Sequence, residues 1–131
     1  MSKLKKLLIA CVLIFLSNCA QAWEKFQNYD AWIDKKTILV NKNKRGGKIV
    51  YVWTIWNTES TVNLPGKSVK SLIEIDCNDR FVGSPKLLVY SENNAKGSKI
   101  ASTYMESTRI EPDTLYNDMH EVFCKGWWKV W

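Results

Sequence analysis

Two cysteines constrain this chain more than any other feature, because they permit a single internal crosslink. The 131 residues contain four cysteines. Cys11 and Cys19 lie in an N-terminal segment with the layout of a secretory signal peptide, which is removed on export. Cleavage after Ala22 leaves Cys77 and Cys124 as a pair in an oxidising compartment, where we expect a structural disulfide.

The N-terminal segment, residues 1–22, predicts export. Lysines precede an apolar run that is too short to span a membrane in the mature chain, and small residues follow it. Cys19 is spaced like the acylated cysteine of a lipoprotein signal, but Asn18 is a poor match for the small residue required before it. We therefore expect cleavage at Ala22 without lipid anchoring, and a single domain over residues 23–131. The mature chain would lie in the periplasm, at the outer surface or outside the cell.

The residues around Cys77 predict a half-buried β-strand. Ile73 and Ile75 share a face with Cys77, whereas Glu74 and Asp76 point to the opposite side. This alternation directs the sulfur into the core. A bridge to the second cysteine would close a loop of about 47 residues and contribute roughly 4 kcal/mol to stability. A reactive thiol needs a basic or cationic neighbour that this pattern lacks.

Short apolar and alternating segments predict an antiparallel sheet. They occur at Asn28–Asp34, Thr37–Asn41, Ile49–Trp56, residues 71–77, Pro85–Ser91 and Ser98–Met105. Polar turns separate most of them, which favours a meander of five to six strands. Ile49–Trp56 is apolar or aromatic on both faces, so we expect a central strand that is covered on each side.

The apolar periodicity changes near the C-terminus. From Asp113 to Cys124, apolar residues such as Leu115, Met119 and Phe123 recur at helical spacing. This predicts one helix of about three turns whose apolar stripe packs on the sheet. Cys124 in its last turn would attach the helix to the strand of the first cysteine, which gives an α+β fold.

The net charge argues against nucleic-acid binding. The whole chain carries a formal charge of +6, but Lys3, Lys5 and Lys6 leave with the signal segment, which reduces the charge to +3. That value is ordinary for a small domain, and an exported protein rarely meets nucleic acid.

Catalytic candidates are few. The single histidine, His120, lies on the predicted helix, where we expect an ordinary polar surface residue. Glu74 and Asp76 lie about 7 Å apart on one strand face, but exposed strands often carry such pairs for solubility. Two cysteines and one histidine are too few ligands for a zinc site. We therefore predict no enzymatic activity, no metal and no cofactor.

Four cations form the first candidate binding feature. They lie within seven residues and have no acid among them: Lys42, Lys44, Arg45 and Lys48. Such a loop suits an anionic glycan, lipopolysaccharide or an acidic protein patch. Its more common role is a solvated turn that keeps a sheet edge from aggregating.

An aromatic tail forms the second candidate binding feature. Trp127, Trp128 and Trp131 fall within the last five residues. Indole rings are unfavourable in water, so the tail packs back on the sheet, forms a homodimer contact, or touches a membrane or a ligand. Trp32 and Trp56 occupy strand positions and are expected in the core.

Several segments together resemble the surface-adhesin protein E family of Gram-negative bacteria. They are Asp30–Asp34, Thr37–Ile38, Val52–Trp53, Glu74–Cys77, Tyr90–Ser91, and Pro112 before a helix that ends in Cys124. The resemblance implies a curved antiparallel sheet with one C-terminal helix held by the disulfide. It also implies that Asp34, Trp53, Asp76, Cys77 and Cys124 maintain the fold.

The resemblance implies a binding function rather than catalysis. The family is named after an adhesin that engages host extracellular-matrix and serum glycoproteins, but fold similarity does not transfer a ligand. We therefore expect an exported binding domain with a protein or glycan partner. The alternative is a periplasmic inhibitor or stability factor that acts on a bacterial enzyme or envelope component.

Overall fold

Six strands follow one another across one antiparallel sheet in the computed structural model, which describes residues 23–58 and 64–130. They are β1 (Trp23–Lys25), β2 (Ala31–Lys42), β3 (Lys48–Asn57), β4 (Ser68–Asp76), β5 (Phe81–Tyr90) and β6 (Lys99–Arg109). Each strand pairs with its neighbours in sequence, in the order β1 to β6, so the predicted meander is confirmed. The predicted signal segment, its cleavage site at Ala22, Cys19 and Trp131 lie outside the described residues.

Strand β2 is continuous where the sequence predicted two segments divided by Lys35 and Lys36. The pairing with β3 shifts register between Asp34 and Leu39, which is a bulge. The Thr37 hydroxyl donates to the Asp34 carbonyl at 2.6 Å and accepts from the backbone N–H of Trp53 at 3.1 Å. The Thr37 side chain thus supplies hydrogen bonds where the backbone pairing of β2 and β3 is interrupted. Bulges bend strands and increase their twist, and the β4–β5 and β5–β6 pairings also contain register shifts.

One α-helix, α1 (Leu115–Lys125), covers one face of the sheet, and two 3₁₀ turns span Asn93–Ala95 and Trp127–Val130. α1 begins two residues later than the predicted Asp113, because the Thr114 hydroxyl caps it by accepting from the N–H of Asn117 at 3.3 Å. The helix ends at Gly126, whose φ of 75° is favourable for glycine.

The main core lies between α1 and the facing side of the sheet, which we call the inner face. The buried members are Phe26, Ile33, Val50, Val52, Ile73, Ile75, Val82, Ile110, Met119, Val122 and Phe123. The rings of Phe26 and Phe123 lie 5.9 Å apart between centroids. A smaller cluster of Val69, Leu87 and Val89 continues this core beyond the helix. The helix stripe and the inward alternation around Cys77 are therefore confirmed.

The predicted disulfide joins Cys77, just after β4, to Cys124 in the last turn of α1. The two Cα atoms are 5.6 Å apart and 47 residues separate them in sequence. The bond therefore fastens the C-terminal end of the helix to the sheet, as the cysteine count predicted.

The expectation that β3 is covered on both sides holds fully for one side and only at Ile55, which is 8% exposed, for the other. Val50, Val52 and Thr54 are fully buried on the inner face. On the opposite side, which we call the outer face, Tyr51 and Trp53 are half-buried. Among the described residues, α1 does not pack on this outer face, and the 3₁₀ turn Asn93–Ala95 reaches only one end of it, where the Ala95 N–H donates to the Ser68 hydroxyl at 2.8 Å.

Candidate functional site

The predicted cationic loop is the tight turn between β2 and β3. The side-chain oxygen of Asn43 accepts from the N–H groups of Arg45 at 2.9 Å and Gly47 at 2.8 Å, which closes the turn. The turn directs Lys42, Lys44 and Arg45 into solvent. Their ammonium and guanidinium groups therefore lie at one end of the sheet.

Lys48 differs from the other three cations because it has a structural role. Its ammonium donates to the carbonyl of Cys124 at the end of α1. Its backbone N–H donates to the Asn78 side chain at 3.1 Å, and its carbonyl accepts from the N–H of Cys77 at 3.0 Å. A cation at a helix C-terminus is also favoured by the helix dipole. Lys48 thus joins the cationic loop to the helix end and the disulfide.

The aromatic tail starts at this same helix end. The Trp127 ring is 52% exposed, and the Lys125 ammonium lies 5.0 Å from the ring centroid. Trp128 is half-buried and packs against the main core, with the Lys129 ammonium 5.7 Å from its ring. Of the two tail tryptophans that the structure describes, Trp127 therefore has an exposed ring and Trp128 packs back on the core.

The structure thus brings the two predicted binding features together at one end of the sheet. We call this surface the basic–aromatic end, and it consists of Lys42, Lys44, Arg45, Lys125, Trp127 and Lys129. Glu121 is the nearest acid on the helix, and it is paired with Lys125. The hydrogen bond from Lys125 lowers the pKa of the Glu121 carboxyl. Asp76 and the exposed Asp79 also lie at this end, beside the turn that Asn78 joins to Lys48, but the cations outnumber the acids.

His120 is buried, contrary to the expectation of a surface residue. Only 8% of it is exposed. Its Nε2 lies 3.0 Å from the Cys77 carbonyl, and its Nδ1 lies 3.2 Å from the Arg80 guanidinium. Because arginine only donates, Nδ1 is the acceptor and Nε2–H is the donor. Arg80 also donates to the Asn117 side chain at 2.6 Å. Both ring nitrogens are occupied, so His120 connects α1 to the sheet.

The carboxylate pair on β4 also has structural partners. Asp76 accepts from the backbone N–H groups of Asn78 at 3.1 Å and Asp79 at 3.0 Å, which shapes the turn after β4. Burial and the neighbouring Glu74 carboxylate raise the pKa of Tyr51. Within residues 23–58 and 64–130, no three metal-ligating side chains cluster together.

The outer face carries a second surface, which the sequence analysis missed. Strand register places one row of side chains across five strands: Trp23, Asp34, Trp53, Leu72 and Lys86. The adjacent row contains Lys25, Trp32, Ile55, Lys70 and Leu88. Aromatic and apolar groups therefore occupy the middle of this face, with cations among them.

Lys70 lies at the centre of the outer face. Its ammonium is 5.4 Å from the centroid of Trp23 and 5.6 Å from that of Trp53, so it interacts with both indole rings. An open cleft of about 330 Å³ lies there, and we call it the tryptophan cleft. It is lined by Trp23, Asp34, Thr37, Trp53, Lys70, Lys86 and Leu88.

A second cleft, of about 300 Å³, shares Trp23 and is lined also by Trp32, Ile55 and Asn94. Trp32 is therefore half-buried beside a cleft, so its expected place in the core is wrong. Trp56 is also only partly buried, but it packs against the smaller core cluster. The alternation of Tyr51, Trp53 and Ile55 along β3 was the sequence signal for an aromatic outer face.

The family model of surface-adhesin protein E matches residues 21–125. The chain belongs to the surface-adhesin protein E family. Solved structures of Haemophilus influenzae protein E resemble the fold, among them the following three. One is a selenomethionine form, with 17% identity and a TM-score of 0.59, and the match covers 85% of this chain and 92% of that chain.

The second structure, crystal form II, has 18% identity and a TM-score of 0.60, and the match covers 81% of this chain and 89% of that one. The third, from a non-typeable strain, has 15% identity and a TM-score of 0.57, and the match covers 83% of this chain and 79% of that one. At these identities the similarity establishes the fold of this family member. No curated protein matches its sequence significantly.

The residues that the family resemblance singled out occupy different parts of this surface-adhesin protein E member. Asp34 stabilises the β2 bulge, where its side chain accepts from the N–H of Lys36 at 3.1 Å. Asp76 shapes a turn and the two cysteines form the disulfide, whereas Trp53 faces the tryptophan cleft. In the part of the chain that the structure describes, no helix is long and apolar enough to cross a membrane.

Proposed function

We propose that this chain is an exported surface adhesin that binds host extracellular-matrix or serum glycoproteins through its basic–aromatic end. Membership of a surface-adhesin family supports a binding role and a location outside the cytoplasm. The observation that carries the assignment is the hydrogen bond from Lys48 to the Cys124 carbonyl. This bond places the cationic turn next to the aromatic tail, although about 80 residues separate them in sequence.

The chemistry of the basic–aromatic end suits an acidic protein surface. Exposed cations steer an acidic partner towards the site and increase the association rate. An exposed tryptophan supplies the apolar anchor that protein interfaces use most often, and Trp127 is such a residue. The cationic turn and the helix end are both held by backbone hydrogen bonds and the disulfide. The surface is therefore organised before a partner binds.

The same contacts support a function without catalysis. His120 uses both ring nitrogens to hold the helix on the sheet, and Asp76 is committed to a turn. A general acid or base must instead reach a substrate proton. Replacement of these residues should therefore alter stability rather than a reaction rate.

Binding should be measured with the purified protein on surfaces coated with individual host matrix and serum glycoproteins. The variant Lys44→Glu/Arg45→Glu/Trp127→Ala should weaken binding at least tenfold. The control Lys96→Glu/Lys99→Glu reverses two exposed charges at the opposite end of the sheet and should leave binding unchanged. Equal loss in both variants would show that net charge, rather than this surface, controls binding.

Location separates the adhesin from the alternative role in the periplasm. Antibodies against the protein should label intact cells, and osmotic shock should release little of it. Complete release by osmotic shock, together with capture of an envelope enzyme, would instead support an inhibitor or stability factor.

A further inference from the structure

We propose that the tryptophan cleft binds a uronic-acid-containing sugar chain of the host. Pyranose rings would pack against the parts of the Trp23 and Trp53 rings that the Lys70 ammonium does not cover, and Lys70 and Lys86 would hold the carboxylate. This inference deepens the proposed function, and rests on it, because it names the glycan part of the host partner. It concerns a surface separate from the basic–aromatic end.

The aromatic groups of the cleft fit a sugar ring. The faces of a pyranose ring consist largely of C–H groups, which pack favourably on the negative face of an indole ring. Trp23 and Trp53 are half-buried in paired strands, which hold their backbones in the sheet. Trp32 lies in the adjacent row, beside the second cleft. The two clefts share Trp23, which suits successive rings of one chain.

The charges of the cleft favour an acidic sugar over a neutral one. Among the described residues, no carboxylate forms an ion pair with Lys70 or Lys86. Lys70 is half-buried between two indole rings, where it is less hydrated than a surface lysine. A carboxylate that reaches it makes a charge-assisted hydrogen bond in an environment of low polarity. Asp34 lies between the two tryptophans, where its Oδ1 accepts from the N–H of Lys36, and the two lysines outnumber this single carboxylate in the cleft lining.

The position of the cleft argues against other occupants. An extended peptide that adds to a sheet needs a free edge, but the cleft lies on the face of strands that already pair with neighbours. A second copy of the chain packed on this face would enclose Lys25, Lys70 and Lys86 of both copies, with Asp34 as the acid in these two rows. Like charges oppose that contact. A volume of about 330 Å³ lies at the lower end of the range for small-molecule sites, so one or two rings fit at a time.

A hyaluronan hexasaccharide is the direct probe, because glucuronic acid alternates with a neutral sugar in it. The protein purified after export should be titrated while tryptophan fluorescence and the indole N–H signals are recorded by NMR. We expect the signals of Trp23 and Trp53 to shift, and those of Trp128 to stay. A neutral chitin hexasaccharide should bind at least tenfold more weakly, and added salt should weaken the hyaluronan complex.

Variants locate the binding within the molecule. Lys70→Gln/Lys86→Gln should weaken hexasaccharide binding at least tenfold, and Trp53→Phe should weaken it several-fold. The control Lys96→Gln/Lys99→Gln removes two exposed cations elsewhere and should have no effect. An unchanged thermal midpoint and unchanged NMR signals of α1 show that each variant is folded.

Four outcomes would overturn the proposal. The NMR signals of Trp23 and Trp53 could fail to shift, or the neutral hexasaccharide could bind with equal affinity. Hexasaccharide binding could be lost only in the Lys44→Glu/Arg45→Glu/Trp127→Ala variant, or purified bacterial lipopolysaccharide could bind more tightly at the same residues. The proposed function fails separately, because glycoprotein binding can be absent while the hexasaccharide still binds the cleft. Conversely, glycoprotein binding through the basic–aromatic end, together with no hexasaccharide-induced shift of Trp23 and Trp53, leaves the adhesin role intact and overturns the cleft proposal.

Discussion

The two faces of the sheet use alternate residues of the same strands, yet they differ in what they contact. On the inner face, Val52 and Ile73 are at most 1% exposed beneath α1. Their sequence neighbours Trp53 and Leu72 point to the outer face and remain half-buried. Both sets of side chains are large and mostly apolar. The difference therefore comes from what covers each face rather than from hydrophobicity.

The inner face is closed by a helix that is attached covalently. α1 has three fully buried apolar residues, and Cys124 fixes its last turn to the end of β4. On the outer face the tryptophan rings and Lys70 cover one another only in part. A half-covered aromatic surface is suited to a ligand, whereas a closed one is suited to stability. The following predictions test this division of roles.

Removal of the disulfide should have the largest effect on the inner face. Cys77→Ala/Cys124→Ala should lower the free energy of unfolding by about 4 kcal/mol, because the unfolded chain regains the entropy of a long loop. Denaturant titration followed by circular dichroism measures this value. A change below about 1 kcal/mol would mean that packing alone holds the helix.

Adjacent residues on β4 compare the two faces directly. Ile73→Ala should cost about 3 kcal/mol, because it removes a buried side chain and leaves a cavity beneath the helix. Leu72→Ala should cost about 1 kcal/mol, because that side chain is already partly exposed and no helix packs on it. Both values come from the same denaturant titration. Equal costs would show that the outer face is as closely packed as the inner one.

The partly buried hydrogen bonds of Arg80 provide a smaller test of the inner face. Arg80→Met should cost about 2 kcal/mol, because it leaves His120 and the Asn117 side chain without their donor. Arg109 is the matched control, because it is exposed and lies 5.3 Å over the Phe81 ring. Arg109→Met should cost less than about 1 kcal/mol.

Tyr29 gives the smallest effect, and it depends on pH. Its hydroxyl donates to Asp118 on α1, and this hydrogen bond raises the pKa of Tyr29 above its ordinary value of 10.0, with further contributions from burial and from the charges of Asp118 and Asp113. A raised pKa means that the folded chain holds this proton more tightly than the unfolded chain. The contribution of this hydrogen bond to the free energy of unfolding is therefore complete below about pH 10 and is lost as the pH rises through the raised pKa of Tyr29.

Unfolding of the wild type and of Tyr29→Phe should therefore be compared from pH 8 to pH 11. At pH 8 the variant should be less stable by no more than about 1 kcal/mol, and the difference should shrink towards pH 11. A difference that grows with pH would contradict the hydrogen bond to Asp118.

Much of the fold could be predicted because its signals are local. The alternation around Cys77 and the helical spacing of Met119 and Phe123 reflect the geometry of single elements. The strand β1 and the burial of Phe26 were missed, because three residues are too few to show a period. The start of α1 was misplaced because Thr114 caps it after Pro112 and Asp113.

The candidate surfaces were predicted only in part. The cations of residues 42–48 and the tail tryptophans are conspicuous in sequence, so both were identified. The structural role of Lys48 and the burial of His120 were not predicted, because each depends on a partner more than 40 residues away in sequence. The tryptophan cleft combines residues from five strands, and register shifts decide which of them align.

By itself, the sequence determined that two cysteines can form one bridge, that most segments alternate as strands, and that one segment near the C-terminus is helical. These properties follow from covalent spacing and from the period of each element. Only the tertiary structure decided that Trp23, Trp53 and Lys70 share one cleft and that Lys48 reaches the helix end. The reason is physical: a bulge or a one-residue shift in register moves a side chain to another neighbour or to the opposite face, and such shifts depend on the packing of the whole sheet.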